Sequence, residues 1–248
     1  MKKFISKLKK ASPFNIIISV AGIMLLLTVS VLFGYSISTG GLVVANSKQT
    51  SESYYLIELD CFESFDEASA FAKSIQTKGG AGFVRYDDGF KVFSSAYLNM
   101  DDAKSVLTKL TEYENAKIYT LNLPTFNNDN GLENAVNKVI KNNLISFKYS
   151  IENLSILLNK LDKNEIDEVK FKENLVLIKE EVELQIEKFL DVFTKSTTMY
   201  KYKSYLYEFL DEINKMQQLD STGSEFSSLC HYSEISLIYC LDKILQLV

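Results

Sequence analysis

A gapless internal duplication constrains this chain more than any other feature. Displaced by 35 positions, the stretch 54–123 matches itself: Tyr55 falls on Phe90, Ile57 on Val92, Phe62 on Tyr97, and Asp66-Glu67-Ala68 on Asp101-Asp102-Ala103. Phe71, Ala72 and Ile75 then fall on Val106, Leu107 and Leu110, and Phe83-Val84 on Ile118-Tyr119. Such a repeat fixes architecture, because each copy is one supersecondary unit whose apolar face needs the other for cover.

Each copy reads strand, helix, strand. In the first strand, Ile57 and Leu59 alternate with Glu58 and Asp60, the period of a half-buried strand. Ser64 and Glu67 have capping-box spacing, and Ala68, Phe71, Ala72 and Ile75 form an i, i+3, i+4, i+7 stripe that faces a sheet. Gly79-Gly80 ends that helix and Asp87-Asp88-Gly89 is a tight hairpin turn. In the second copy Asn99 caps the helix and Ala103, Val106, Leu107 and Leu110 repeat the stripe. The order βαββαβ is the split, ferredoxin-like arrangement. Two helices on one face leave the other face of the sheet open to solvent or ligand.

These residues resemble the SPOR domain, whose strands typically read V-Q-V-G-S-F and V-R-V-G-P-F. Here the strands read Ile57-Glu-Leu-Asp-Cys-Phe62 and Val92-Phe-Ser-Ser-Ala-Tyr97. The hydrophobic frame and closing aromatics are kept, while Asp60 and Ser95 replace both glycines. The resemblance implies a peptidoglycan-binding module that recognises glycan strands stripped of their peptides and concentrates at division or sporulation septa. The topology is also similar to that of anchored sporulation proteins of the stage II type. By alternation Ile57, Leu59 and Val92 face the helices. Leu56, Glu58 and Asp60 then face outward, as do Lys91, Phe93 and Ser95. Phe93 is the leading sugar contact, because an exposed ring stacks on an apolar sugar face. Glu58, Asp60 and Ser95 can hydrogen-bond hydroxyls, and Arg85 is a fork donor for a sugar carboxylate.

Outside the repeat, residues 14–33 carry no charged side chain. At about 1.5 Å per residue, twenty residues span the roughly 30 Å hydrocarbon core. Lys2, Lys3, Lys7, Lys9 and Lys10 precede the stretch. The positive-inside rule keeps that end in the cytoplasm and exports the C-terminus. A cleaved signal peptide is the competing reading, with Val43-Val-Ala45 as the cleavage site, but its apolar region would be shorter. The domain plan is a basic cytoplasmic segment 1–13, a transmembrane helix 14–39, a linker 40–53, the SPOR-like domain 54–123 and a helical domain 132–248.

From 132 onward no strand alternation occurs. Helical spacing runs from Val136 to Leu161, from 169 to 193, from 199 to 216 and from 226 to 247, a helical hairpin or four-helix bundle. Tyr200, Tyr202, Tyr205 and Tyr207 make the third of these a candidate partner surface, since tyrosine is enriched at interfaces. The expected fold class is therefore α+β: an N-terminal transmembrane helix, a ferredoxin-like βαββαβ SPOR-type domain and a C-terminal all-α helical bundle.

Composition narrows the chemistry. The net charge is −5, so with five lysines in the first thirteen residues the remainder carries −10. An acidic body argues against nucleic acid, which needs a basic patch. Cys61, Cys230 and Cys240 include no CxxC, and with His231 as the single histidine they lack zinc-ligand spacing. They read as buried or unpaired thiols, and a disulfide between two of them is not readable from sequence. Cys230 and His231 are helix neighbours whose side chains diverge, and no nucleophile elbow, P-loop or GxGxxG occurs. The sequence thus points to a non-catalytic binding protein without metal or cofactor. Its partners would be peptidoglycan glycan strands, the membrane and a protein recruited by the helical region. The rival reading is an interaction scaffold carrying a degenerate, non-binding SPOR-like domain.

Overall fold

The computed structural model describes residues 53–126, 133–193 and 195–248. Ten elements follow in order: β1 (Ser53–Phe62), α1 (Phe65–Gln76), β2 (Phe83–Tyr86), β3 (Phe90–Tyr97), α2 (Met100–Leu107), β4 (Lys117–Asn122), α3 (Asn134–Asp162), α4 (Glu168–Asp191), α5 (Thr197–Gln218) and α6 (Gly223–Leu247). The strands form one antiparallel sheet in the order β2-β3-β1-β4.

Local chemistry sets the first helices. The Ser64 hydroxyl accepts from the Glu67 amide at 3.3 Å and donates to the Glu67 carboxylate at 3.0 Å. Asn99 Oδ1 accepts from the Asp102 amide at 2.8 Å in the second copy. Each side chain satisfies a helix-start N–H that has no partner within the helix. Ala68 and Ala103, both fully buried, let the two helices lie close on the sheet. Beneath them sit Ile57, Leu59 and Val92 of the sheet, packed with Ala72 and Ile75 of α1. At the hairpin both Asp88 (φ 52°) and Gly89 (φ 125°) take left-handed backbone.

The opposite sheet face carries Tyr54, Leu56, Phe93, Ala96 and Leu121, and these belong to the same core as α3 to α6. α6 makes this junction possible. Fourteen of its 25 residues are buried, including Ile235, Leu237, Ile238, Cys240, Leu241 and Ile244. A helix apolar on every side is a central helix, not a surface one. It packs against β3 on one side and against α3 and α5 on others. Residues 50–248 accordingly form one compact unit.

This architecture corrects the expected fold class. The described residues hold six helices and a small four-stranded antiparallel sheet, 63% helical, with the sheet and the C-terminal helices sharing one core. Among them no helix is long and apolar enough to cross a membrane. The segment expected to be the transmembrane helix, 14–39, lies outside the described residues, as do 1–13 and most of 40–53. The physical reason for the correction is that both sheet faces are apolar. A sheet buried on two sides needs a second covering layer, and the C-terminal helices supply it.

Candidate functional site

Of the residues expected to form a glycan-binding face, the sheet brings Phe93, Glu58 and Arg85 together beneath a roof, whereas Ser95 and Asp60 pair with Ile57 and Val92 of the opposite face. Phe93 is 1% exposed and packs against Tyr119 and Tyr239, with ring centroids 5.5 and 6.4 Å away. Glu58 is likewise 1% exposed, with one carboxylate oxygen 2.9 Å from Lys117 Nζ and the other without a hydrogen-bond partner. Ser95 is buried, its hydroxyl 3.4 Å from that of Ser94. The Arg85 guanidinium lies 3.8 Å from the centroid of the Tyr239 ring, with Nη1 buried and unpaired. Asp60, like Arg85, stays half-exposed, and its Oδ1 accepts from the Cys61 amide at 2.8 Å and from Asn115 at 3.1 Å.

The face expected to stand open is therefore closed by α6. Ser228 donates to the Gly80 carbonyl at 2.8 Å, and Phe83 rests on Tyr232 and Tyr239 at 5.0 and 5.6 Å. Strict alternation places Glu58 and Phe93 together on this face, but irregularities in the β1–β3 register pair Ser95 with Ile57 and Asp60 with Val92, which turns both toward α1 and α2. The cover of the other face comes from far downstream, beyond the reach of local pattern.

A charge cluster pins the same helix at its other flank. His231 Nε2 lies 2.9 Å from Asp162 Oδ2 at the end of α3, and Nδ1 lies 3.4 Å from Glu234 Oε2. Ser227 donates to Asp162 at 2.8 Å and Ser155 donates to Glu234. Burial disfavours the imidazolium, but the hydrogen bonds to Asp162 and Glu234 outweigh it and hold the His231 pKa at about 10. Burial would also raise the Asp162 carboxyl, yet the His231 contact and the Ser227 hydroxyl hold it below its ordinary value. With both ring nitrogens donating to carboxylates, His231 has no lone pair with which to act as a base. Sequence reasoning missed this cluster, because Asp162 and His231 are 69 residues apart.

Two clefts border α6. One of about 770 Å³ is lined by Lys78, Ser94, Tyr97, Asp162, Asp167 and His231. Its charged groups are engaged internally: Lys78 with Glu112 at 3.2 Å, Asp167 with the Lys170 amide at 2.7 Å, and Asp162 with His231. The other, about 240 Å³, lies beside Arg85, Tyr239 and the Lys243–Glu208 pair, itself 2.9 Å long. Two of the thiols, Cys230 and Cys240, are buried, and Cys61 is exposed. Burial raises both Cys230 and Cys240, the latter to about 12, and all three cysteines are free. Among the described residues no group of His, Cys, Asp or Glu could hold a metal ion.

Exposed aromatic surface lies elsewhere. Phe65 and Tyr86, 56% and 68% exposed, flank the half-buried Phe90 at 5.8 and 5.0 Å, at the hairpin end of the sheet. On the helical side Tyr200 and Tyr207 are exposed, whereas Tyr202 is buried and Tyr205 half-buried. Compared with known proteins, this chain matches no family model, no curated protein and no solved structure.

Proposed function

We propose that this protein is a non-catalytic interaction scaffold that recruits a protein partner through its helical surface. One observation carries this reading: the second face of the sheet is occupied by the chain's own α6, so the sheet serves as an internal platform for the helices. The outward apolar side chains are correspondingly concentrated on the helices. Of the eleven large hydrophobic side chains exposed among the described residues, eight lie on α3, α4 and α5. Scattered exposed apolar residues are ordinary, but a concentration on one part of a body suits a partner surface. The lysine-led uncharged stretch 14–33 of the sequence supports attachment to a membrane, with the described body on its outer side.

The test is co-purification of a partner from cells expressing the full chain. Retention by the native chain and loss from Ile145→Glu/Ile156→Glu, two exposed positions on α3, supports the scaffold. Equal retention by both counts against it.

The resemblance of the two repeats to SPOR domains supports a second reading, glycan binding at a septum, and the Phe65–Phe90–Tyr86 rings give it an exposed place. Pelleting of the full chain with insoluble peptidoglycan, reduced by Phe65→Ala/Tyr86→Ala, would favour it. Pelleting that this variant leaves unchanged would remove that place.

A further inference from the structure

Two exposed stripes on neighbouring helices have the same spacing and opposite character. On α4, Leu177 and Leu184 are 60% and 43% exposed, seven residues apart, with the exposed Glu180 between them at i+3. On α5, Tyr200 and Tyr207 are 53% and 44% exposed, again seven apart, with Lys203 between them at i+3. Positions i, i+3 and i+7 share one side of a helix, so each stripe is a continuous apolar–charged–apolar strip.

The surrounding charge follows the same division. Residues 177–187 carry Glu180, Glu181, Glu183 and Glu187 against Lys179 alone. Residues 192–207 carry Lys195, Lys201 and Lys203 and no carboxylate. The basic strip is also pre-formed, because the Lys203 ammonium lies 5.5 Å from the Phe193 ring and 5.8 Å from the Tyr207 ring. Phe193 in turn meets Tyr200 edge-on at 5.2 Å. Both strips point away from the core, whose contacts are made by Leu175, Ile178, Val182 and Ile186 on α4 and by Met199, Tyr202, Leu206 and Phe209 on α5.

We propose that the α4 strip of one copy seats against the α5 strip of a second copy, making the protein self-associating. Leu177 and Leu184 pack on the Tyr200 and Tyr207 rings, and Glu180 meets Lys203. Facing helices with matching seven-residue repeats interdigitate, and opposite charges flanking the seam set the pairing. Each copy carries both halves, so two reciprocal contacts can close a dimer. A strip of this size gives a reversible, salt-sensitive association. A second copy is favoured over an unrelated acidic protein because the complement to the basic strip, in spacing as well as charge, is present in the chain itself.

Sedimentation equilibrium of the full chain in detergent and of residues 50–248, which form one compact unit, tests the pairing. Mean mass should rise with concentration for both. Glu180→Lys and Lys203→Glu should each weaken association at least about tenfold by placing like charges opposite one another. Both changes in one chain restore opposite charge and should return it to within about threefold of the native protein. A strictly monomeric 50–248, single reversals without effect, or a double variant as weak as the single ones would each overturn the proposal. Capture of a foreign partner is read separately by co-purification, so a monomer overturns the pairing without touching the scaffold reading.

Discussion

At the residue scale, the charges closed inside the molecule set its response to pH. His231 has a folded pKa near 10 against about 6.5 when unfolded. Its contribution to stability is fully present below about pH 6.5 and is lost as pH rises toward 10. Urea unfolding should therefore show a midpoint that falls steadily over that window, by at most roughly 5 kcal/mol in stability. His231→Gln should flatten the fall and lower stability at neutral pH. Asp162 acts in the opposite sense: its depressed pKa adds stability that is lost only as pH drops below the carboxylate range. A native protein whose midpoint stays constant from pH 6.5 to 10 would show that the triad is not formed in solution.

Glu58 makes a second case at this scale. Removing Lys117, its neighbour across the strands, leaves a buried carboxylate with no partner. Because the Lys117 side chain is 63% exposed and only Glu58 is buried, Lys117→Met should cost about 1–2 kcal/mol, whereas Glu58→Met/Lys117→Met should recover most of the loss by removing the buried charge. Thermal melts of the two variants check this. In sequence, Glu58 read as an outward residue because it alternates with Ile57 and Leu59. It is outward with respect to α1 and α2, and inward with respect to α6.

At the element scale, much of the first half was legible because its determinants are local. The capping residues Ser64 and Asn99 and the hairpin at Asp88-Gly89 act within a few residues of themselves, and the stripe that carries Ala68 and Ala103 shows in helical spacing. Gly82 was not recognised, because its constraint is tertiary. It has φ +57°, and a Cβ there would lie 2.4 Å from the Ala72 carbonyl oxygen, inside contact distance with the helix backbone. Gly82→Ala should destabilise by at least about 2 kcal/mol, combining left-handed strain with a clash that backbone cannot relieve. An unchanged melting temperature would mean that the α1–β2 junction is looser than described. α6 shows the converse. Its apolar residues occupy all sides in the run from Ile235 to Leu247, a pattern that identifies a buried helix. Helical spacing alone places it in a hairpin or bundle and leaves the sheet face uncovered.

At the scale of the whole molecule, the shared core makes the sheet and the helices thermodynamically one body. Phe83 and Phe93 lose the Tyr232 and Tyr239 rings if α6 leaves, and Tyr239 loses theirs if the sheet opens. Phe93 sits at the seam, fully buried between Tyr119 and Tyr239. Phe93→Ala should therefore cost about 3–5 kcal/mol through lost burial and the cavity it leaves. The loss should appear identically in helical and strand signals, because one cooperative transition governs both. Residues 54–123 alone should bind a hydrophobic dye, since the uncovered face is apolar. A fragment 54–123 that melts cooperatively with no exposed apolar surface, together with a Phe93→Ala chain as stable as the native one, would separate the two halves again and reopen the sheet face to a ligand.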